Sequence, residues 1–243
     1  EVSGRSAIVS GLIKRVAALI EPEPDDSLRL VAVFSRDVTD STFVNGARMA
    51  VARVNADGGI LGRELKLDLV PESGFTEKTA LETTVSNTLK LSGDVARTKN
   101  LLGVIGHEWS DTAVTASSIY GRNDILYVAT HATAAALTNH GFKTVFALQP
   151  DNASNAQMIT NYAMRQGMRR FIVLSDKSDY GKECASFFSA AITSNGADLV
   201  YRGYLSSGTQ SIDQLLMFIL DNNLFKRSDF DAFFIVSSSI PET

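Results

Sequence analysis

The residue types that most often do chemistry are few in this sequence and lie far apart. Its three histidines are His107, His131 and His140, and its single cysteine is Cys184. The histidines fall on different predicted loops or strand ends with no metal-ligand spacing, so we expect neither a metal site nor a cofactor. A single cysteine excludes an internal disulfide and a thiolate metal cluster built from this chain alone. We expect Cys184 to pack as a small buried hydrophobic residue.

The sequence motifs of several enzyme classes are missing. There is no Gly-x-x-x-x-Gly-Lys-Ser/Thr segment to hold a nucleoside triphosphate, and no Gly-x-Gly-x-x-Gly follows the first predicted strand. There is no Gly-x-Ser-x-Gly turn, and His107-Glu108 lacks the second histidine of a His-Glu-x-x-His zinc motif. We therefore expect a protein that binds rather than catalyses, and an enzyme is the weakest alternative.

Composition narrows the classes of partner. The 243 residues are 44% hydrophobic and 21% charged, with 23 basic and 27 acidic side chains and a net charge of −4. This is the composition of a folded chain. A mildly acidic chain without a basic stripe is a poor candidate for binding nucleic acid or an anionic membrane. No stretch approaches the roughly 18 uninterrupted apolar residues of a membrane helix, so we expect no direct membrane insertion by this chain.

Strand and helix patterns alternate from Leu28 onward, which is typical of an α/β fold with parallel sheets. Apolar runs of strand length alternate with segments whose apolar residues recur at helical spacing. The predicted strands are 28–34, 64–70, 101–105, 125–128, 171–175, 198–204 and 232–236. The predicted helices are 42–57, 76–91, 110–120, 152–166, 180–195 and 212–222.

Breaks in the pattern predict three regions. An acidic, proline-bearing segment at 21–26 separates an amphipathic N-terminal helix from the rest, so residues 1–27 form a helix and linker. The Gln-Pro-Asp-Asn segment at 149–152 is the best internal boundary. We therefore expect a first α/β lobe over 28–149 and a second over 150–243.

Polar side chains follow several of the predicted strands, where parallel α/β sheets bind ligands. Ser110 follows the third strand and is a suitable N-cap, whose helix could receive an anion at its free N–H groups. Asp111 disfavours a bound anion at this position, because its own negative charge already complements the helix terminus. Thr130 to Thr133 follow the next strand, and Tyr180 follows a strand of the second half. Taken alone, Ser110 could simply cap its helix, and Tyr180 could simply pack.

Several segments together carry a family resemblance. The most specific is Asn-Ala-Asp-Gly-Gly-Ile-Leu-Gly-Arg at 55–63; the others are Val-Ile-Gly-His-Glu-Trp-Ser at 104–110, Ile-Leu-Tyr-Val-Ala-Thr-His-Ala-Thr at 125–133 and Ser-Asp-Lys-Ser-Asp-Tyr-Gly at 175–181. The chain resembles the type I periplasmic binding proteins, in particular the leucine/isoleucine/valine-binding proteins of ABC transporters. The resemblance implies two Rossmann-like lobes that close on a hinge around an amino acid or amide in the periplasm or outside the cell, with a membrane permease as partner.

The same resemblance implies roles for individual residues. Ser110 and Thr133 would hold the α-carboxylate of the ligand, beside Ala132 in the same segment, and the carbonyl group of His131 would accept from the ammonium group. Tyr180 would close over the ligand from the second lobe. Trp109, the single tryptophan, would report occupancy.

The sequence also departs from the family pattern. Arg36 stands where relatives often place an aromatic side chain, and it could either pair with an acidic ligand or remain solvated. Ser239, at the end of the last predicted strand, could line the second lobe. Members of the family run well past the equivalent of Thr243, so we expect a second lobe that is incomplete in this chain. The same fold could also serve as the ligand-sensing domain of a membrane receptor or regulator.

Overall fold

Parallel strands alternate with helices wherever the structure, a computed structural model, describes the chain: residues 25–35, 42–72, 81–205 and 226–237. Two units are distinguished, Glu1–Gln149 and Pro150–Thr243. The α/β fold with parallel sheets predicted from the sequence is confirmed. The predicted helix 212–222 and the predicted N-terminal helix, like Arg36 and Ser239, lie outside the described residues.

The first unit is a five-stranded sheet with the order β2-β1-β3-β4-β5, in which every pair of neighbours is parallel. A single 3₁₀ turn, Ala135–Leu137, precedes β5 among the described residues. The strands are β1 (Leu28–Ser35), β2 (Leu65–Glu72), β3 (Leu101–Gly106), β4 (Tyr127–Ala129) and β5 (Val145–Ala147); the helices are α1 (Thr42–Ala56), α2 (Leu81–Ala96) and α3 (Ser110–Arg122).

The second unit is a sheet with the order β7-β6-β8, again parallel. Its core includes Phe188, whose ring stacks on that of Phe234 with centroids 3.8 Å apart. The elements are α4 (Asn152–Arg165), β6 (Arg170–Ser175), α5 (Asp179–Ser194), β7 (Asp198–Tyr204) and β8 (Ala232–Val236), with a 3₁₀ turn at Arg227–Asp229. No described helix combines the length and the apolar character needed to cross a bilayer.

The central strand β1 shows why the sequence folds this way. Val31, Ala32 and Val33 are consecutive and all at most 1% exposed, because helices cover both faces of a parallel sheet. The chain passes from β1 to β2 on one side and later to β3 on the other side. The carboxyl ends of β1 and β3 therefore form a topological switch point, where ligands bind in open α/β sheets.

A buried carboxylate ties three elements together beneath this switch point. Glu72, at the end of β2, is 4% exposed. Its Oε2 lies 2.7 Å from Nδ1 of His107, and its Oε1 accepts from the backbone N–H of Glu108 at 2.7 Å and from the hydroxyl of Thr112 at 3.3 Å. These bonds join β2 to the turn after β3 and to the first turn of α3. A buried carboxylate is tolerated only when its oxygens are satisfied in this way.

The contacts of His107 assign its tautomer. A carboxylate only accepts, so Nδ1 donates to Glu72, and Nε2, 3.1 Å from the hydroxyl of Tyr120, accepts from it. Burial, with the charge of Glu72 adding to it, raises the pKa of Tyr120, which keeps this phenol protonated and able to donate. The side chains thus form one directed chain of hydrogen bonds from Tyr120 through His107 to Glu72.

The turn after β3, which carries His107 and Glu108, needs an unusual backbone conformation. Gly106 has φ +110° and His107 has φ +50°, both in the left-handed region. The reversal lets the N–H of His107 donate to the carbonyl oxygen of Val33 at 3.0 Å. A Cβ on Gly106 would lie 1.9 Å from that same oxygen. Only glycine fits here, because both the dihedral angle and the close approach exclude a side chain.

We predict that Glu72→Leu lowers the free energy of unfolding of the first unit by about 3–5 kcal/mol, because His107 and the N–H of Glu108 lose their buried acceptor. Glu72→Gln keeps one carbonyl oxygen and should cost about 1–2 kcal/mol. Urea unfolding followed by the emission of Trp109 measures both. Glu64→Leu, at an exposed position before β2, is the control and should change stability by less than about 0.5 kcal/mol. A Glu72→Leu variant as stable as the wild type would contradict this account of the network.

We also predict that Gly106→Ala is far more destabilising than Gly141→Ala. Both glycines have positive φ, at +110° and +77°, so both variants incur left-handed strain of about 1–2 kcal/mol. Nothing lies within 4 Å of a Cβ at Gly141, whereas the clash at Gly106 adds about 1–3 kcal/mol. Thermal unfolding of the two variants side by side measures the difference, and equal losses of stability would show that the close approach is unimportant.

Candidate functional site

The switch point of the first sheet carries a cleft of about 70 Å³. Its walls come from the ends of β1 and β3, the start of α1 and the segment after β4, which places it where the topology predicts a ligand. The lining residues are Val33, Phe34, Thr42, Phe43, Gly106, Glu108, Thr130 and His131. The cleft therefore combines an apolar floor with one carboxylate, one imidazole and two hydroxyl groups.

Helix α3 begins beside this cleft without a side-chain cap. The prediction that Ser110 is the N-cap was wrong: Trp109 occupies that position, with φ −100° and ψ 150°, and Ser110 is the first helical residue. The carbonyl oxygen of Trp109 accepts from the N–H of Ala113 at 2.9 Å, and at 3.1 Å it shares the single hydroxyl hydrogen of Thr112 with Glu72. Because the Glu72 network holds the preceding turn, the helix starts one residue before the position that the capping preference indicated. The hydroxyl of Ser110 bonds to none of the described residues, so it is available to a ligand.

The segment after β4 holds three of the predicted residues, in different environments. His131 is exposed, and its ring meets that of Phe43 edge-on at a centroid distance of 5.5 Å. Its Nδ1 lies 2.8 Å from the hydroxyl of Thr130. Ala132 is 2% exposed and packs in the core, whereas Thr133 is half-buried. Of the predicted site residues in the described part of the first unit, His131 alone lines the cleft itself.

Tyr180, the predicted contact from the second unit, lies in the first turn of α5. It is half-buried against the core of that unit, one turn before Cys184. Burial, with smaller contributions from Cys184, raises the pKa of Tyr180 to about 12. The phenol is therefore neutral at physiological pH. Cys184 is buried, as predicted, and burial raises the pKa of its thiol to about 11, which makes it a poor nucleophile.

A polar cluster occupies the carboxyl end of β6 in the same unit. Asp176 accepts from the backbone N–H of Ser178 at 3.1 Å, from the Ser178 hydroxyl, and from the hydroxyl of Ser237 at 3.0 Å. Ser178 in turn caps α5 by accepting from the N–H of Gly181 at 2.9 Å. A Cβ on Gly181 would lie 2.1 Å from Oδ1 of Asp176, so a larger residue would displace this carboxylate. The cluster fixes the turn that carries Tyr180.

The histidines occupy separate places in the first unit. His107 is buried, His140 packs its ring against Phe142 with centroids 4.4 Å apart, and His131 faces solvent. Within the ranges that the structure describes, no group of three or more His, Cys, Asp or Glu side chains is placed to hold a metal ion.

Sequence reasoning missed most of the cleft. Glu108 was considered only as part of an incomplete zinc motif, although it lies two residues after β3 at the switch point. Thr130 was noted only as part of the segment after β4. Phe43 and Thr42 begin a helix and carry no motif. Their position in the fold could have identified them: Glu108 and Thr130 directly follow the neighbouring strands β3 and β4, and Thr42 and Phe43 begin the helix after β1.

Comparison with known proteins identifies a matching family profile and several sequence relatives of this chain. A sequence profile of the family described as "Periplasmic binding protein" matches residues 35–223. The chain is 29% identical over 172 residues to the Leu/Ile/Val-binding protein BraC3 of Rhizobium johnstonii, covering 70% of this chain and 44% of the relative. It is 25% identical over 222 residues to the Leu/Ile/Val-binding protein of Escherichia coli K12, covering 90% and 58%. The chain thus spans about half the length of the curated relatives it matches.

Solved structures show the same fold. An ABC transporter substrate-binding protein of Desulfitobacterium hafniense in complex with Leu has a TM-score of 0.70 at 24% identity, covering 86% of this chain and 58% of that one. A solute-binding protein of Rhodopseudomonas palustris in complex with 3,4-dihydroxy benzoic acid has a TM-score of 0.62 at 14% identity, covering 86% and 54%. The profile match extends over well more than half of the chain, and the relatives agree with it. As the resemblance in the sequence predicted, this chain belongs to the periplasmic binding protein family, as a type I member related to the Leu/Ile/Val-binding proteins.

Proposed function

We propose that this chain is the ligand-capturing part of a periplasmic or extracellular receptor that binds an amino acid or amide and delivers it to an ABC importer. The role involves no catalysis: ligand bridging two lobes favours the closed state, and a membrane permease recognises that state. Relatives named as Leu/Ile/Val-binding proteins support the amino-acid class.

The observation that carries this proposal is the uncapped start of α3 beside the cleft. The first N–H groups of a helix have no partner within it, and the helix dipole favours an anion there. Ser110 adds a hydroxyl at the same place. A ligand carboxylate held by such groups forms short, charge-assisted hydrogen bonds.

Three further residues contact the ligand in this proposal. Thr133, half-buried after β4, supplies a second hydroxyl for the carboxylate, and the carbonyl oxygen of His131 accepts from the ammonium group. Tyr180 provides a neutral phenol from the second unit. Trp109 directly precedes Ser110 and is the single tryptophan, so its emission reports on the site.

We predict that Ser110→Ala and Thr133→Ala each weaken amino-acid binding about ten- to hundred-fold, because each removes one hydrogen bond to a charged group. Isothermal titration with a panel of amino acids and amides, repeated by Trp109 fluorescence, measures the loss. Thr138→Ala, at an exposed position after the 3₁₀ turn, is the matched control and should bind like the wild type.

Two results would contradict the proposal. If Ser110→Ala and Thr133→Ala bind with wild-type affinity, the ligand does not occupy the start of α3. If no amino acid or amide binds the wild-type protein, the amino-acid class is wrong.

A further inference from the structure

We propose that the cleft of the first unit selects ligands with a positively charged end, an alkylammonium or a guanidinium group, and that Glu108 is the residue that selects them. This inference rests on the proposed function and narrows its ligand to amino acids with a cationic side chain. It starts from Glu108, the acidic residue among the described residues that line the cleft.

Glu108 is held in place but its carboxylate is unsatisfied. Its backbone N–H donates to Glu72 at 2.7 Å, which fixes the backbone at this position. Glu108 is a half-buried residue that lines the cleft, and within the described ranges its carboxylate makes no hydrogen bond or ion pair. A carboxylate can only accept, so its natural complement in the cleft is a group that donates hydrogen bonds and carries positive charge.

Among the described residues, two further carboxylates lie near the same turn. Glu72 lies buried behind the same turn, and Asp111 lies in the first turn of α3. No lysine or arginine is among the described residues that line the cleft. Opposite charges attract strongly where water is partly excluded, so a cationic ligand end would bind well next to Glu108. An aliphatic ligand end would instead remove water from this carboxylate without giving it a partner, and that desolvation costs free energy.

The aromatic residues that line the cleft suit a cation as well. Phe34 and Phe43 line the cleft, and the ring of His131 meets Phe43 edge-on at 5.5 Å. Aromatic faces attract ammonium and guanidinium groups within about 6 Å of the ring centroid. These groups fit an arrangement in which the α-carboxylate lies at α3 and the charged end enters the cleft.

The test compares lysine with norleucine, which has the same carbon chain without the terminal amine. Isothermal titration of the wild-type protein should give an affinity for lysine or arginine at least about tenfold higher than for norleucine or leucine. Raising the salt concentration should weaken lysine binding more than norleucine binding, because salt screens the charge pair.

The Glu108→Gln variant keeps the shape of the side chain and removes its charge. We expect it to lose about ten- to hundred-fold in lysine affinity, with norleucine binding unchanged or tighter. Glu64→Gln, at an exposed position before β2, is the charge-matched control and should keep the wild-type preference. Thermal unfolding of each variant checks that the fold is intact, and the wild-type comparison tests the proposal whether or not a variant folds.

The outcomes separate this inference from the function on which it rests. If leucine or norleucine binds more tightly than lysine, or if Glu108→Gln keeps a preference for lysine, the role of Glu108 is overturned while the amino-acid function stands. If no amino acid binds, the proposed function itself fails.

Discussion

The buried carboxylate of Glu72 holds the cleft of the first unit together. Taking a carboxylate out of water costs several kcal/mol, so it persists only with donors in place. His107, the N–H of Glu108 and Thr112 supply those donors from the end of β3 and the start of α3. The same bonds fix where α3 begins, which residue faces the cleft and how the left-handed turn at Gly106 closes on β1. Removing the carboxylate would therefore disturb the start of α3, the position of Glu108 and the turn at Gly106 at the same time.

The position of Glu72 also affects the electrostatics at the start of α3. The start of a helix ordinarily favours an anion, yet here Glu72 already lies against the inner side of α3 and Glu108 against the cleft. If the ligand binds as proposed, its negative charge meets the N–H groups of the first turn and its positive charge meets Glu108. A zwitterion meets both conditions, and one with a second cationic group meets them better. In this proposal the selectivity follows from the positions of two glutamates around one turn.

The fold was largely predictable because its signals are local, and much of the site was not because its contacts are distant. Apolar runs such as 28–34 and 171–175 match strands β1 and β6 closely, since buried parallel strands need continuous hydrophobic residues. The short strand β5 (Val145–Ala147) was missed, because three residues carry too little pattern. Glu72 and His107 lie 35 residues apart, and no single-sequence periodicity links them. The first residue of α3 was predicted correctly, but the N-cap was not: Trp109 holds that position in place of Ser110, because a tertiary contact overrode the capping preference.

The central claim is that the ligand binds at the uncapped start of α3. Nuclear magnetic resonance of the ¹⁵N-labelled protein tests this most directly, by following the backbone amide signals while an amino acid that binds is added. The account predicts that the largest chemical-shift changes fall on Ser110, Asp111 and Thr133, with smaller changes along the rest of α3. Saturable binding that leaves these three amides unmoved while others shift would place the ligand elsewhere and contradict the account.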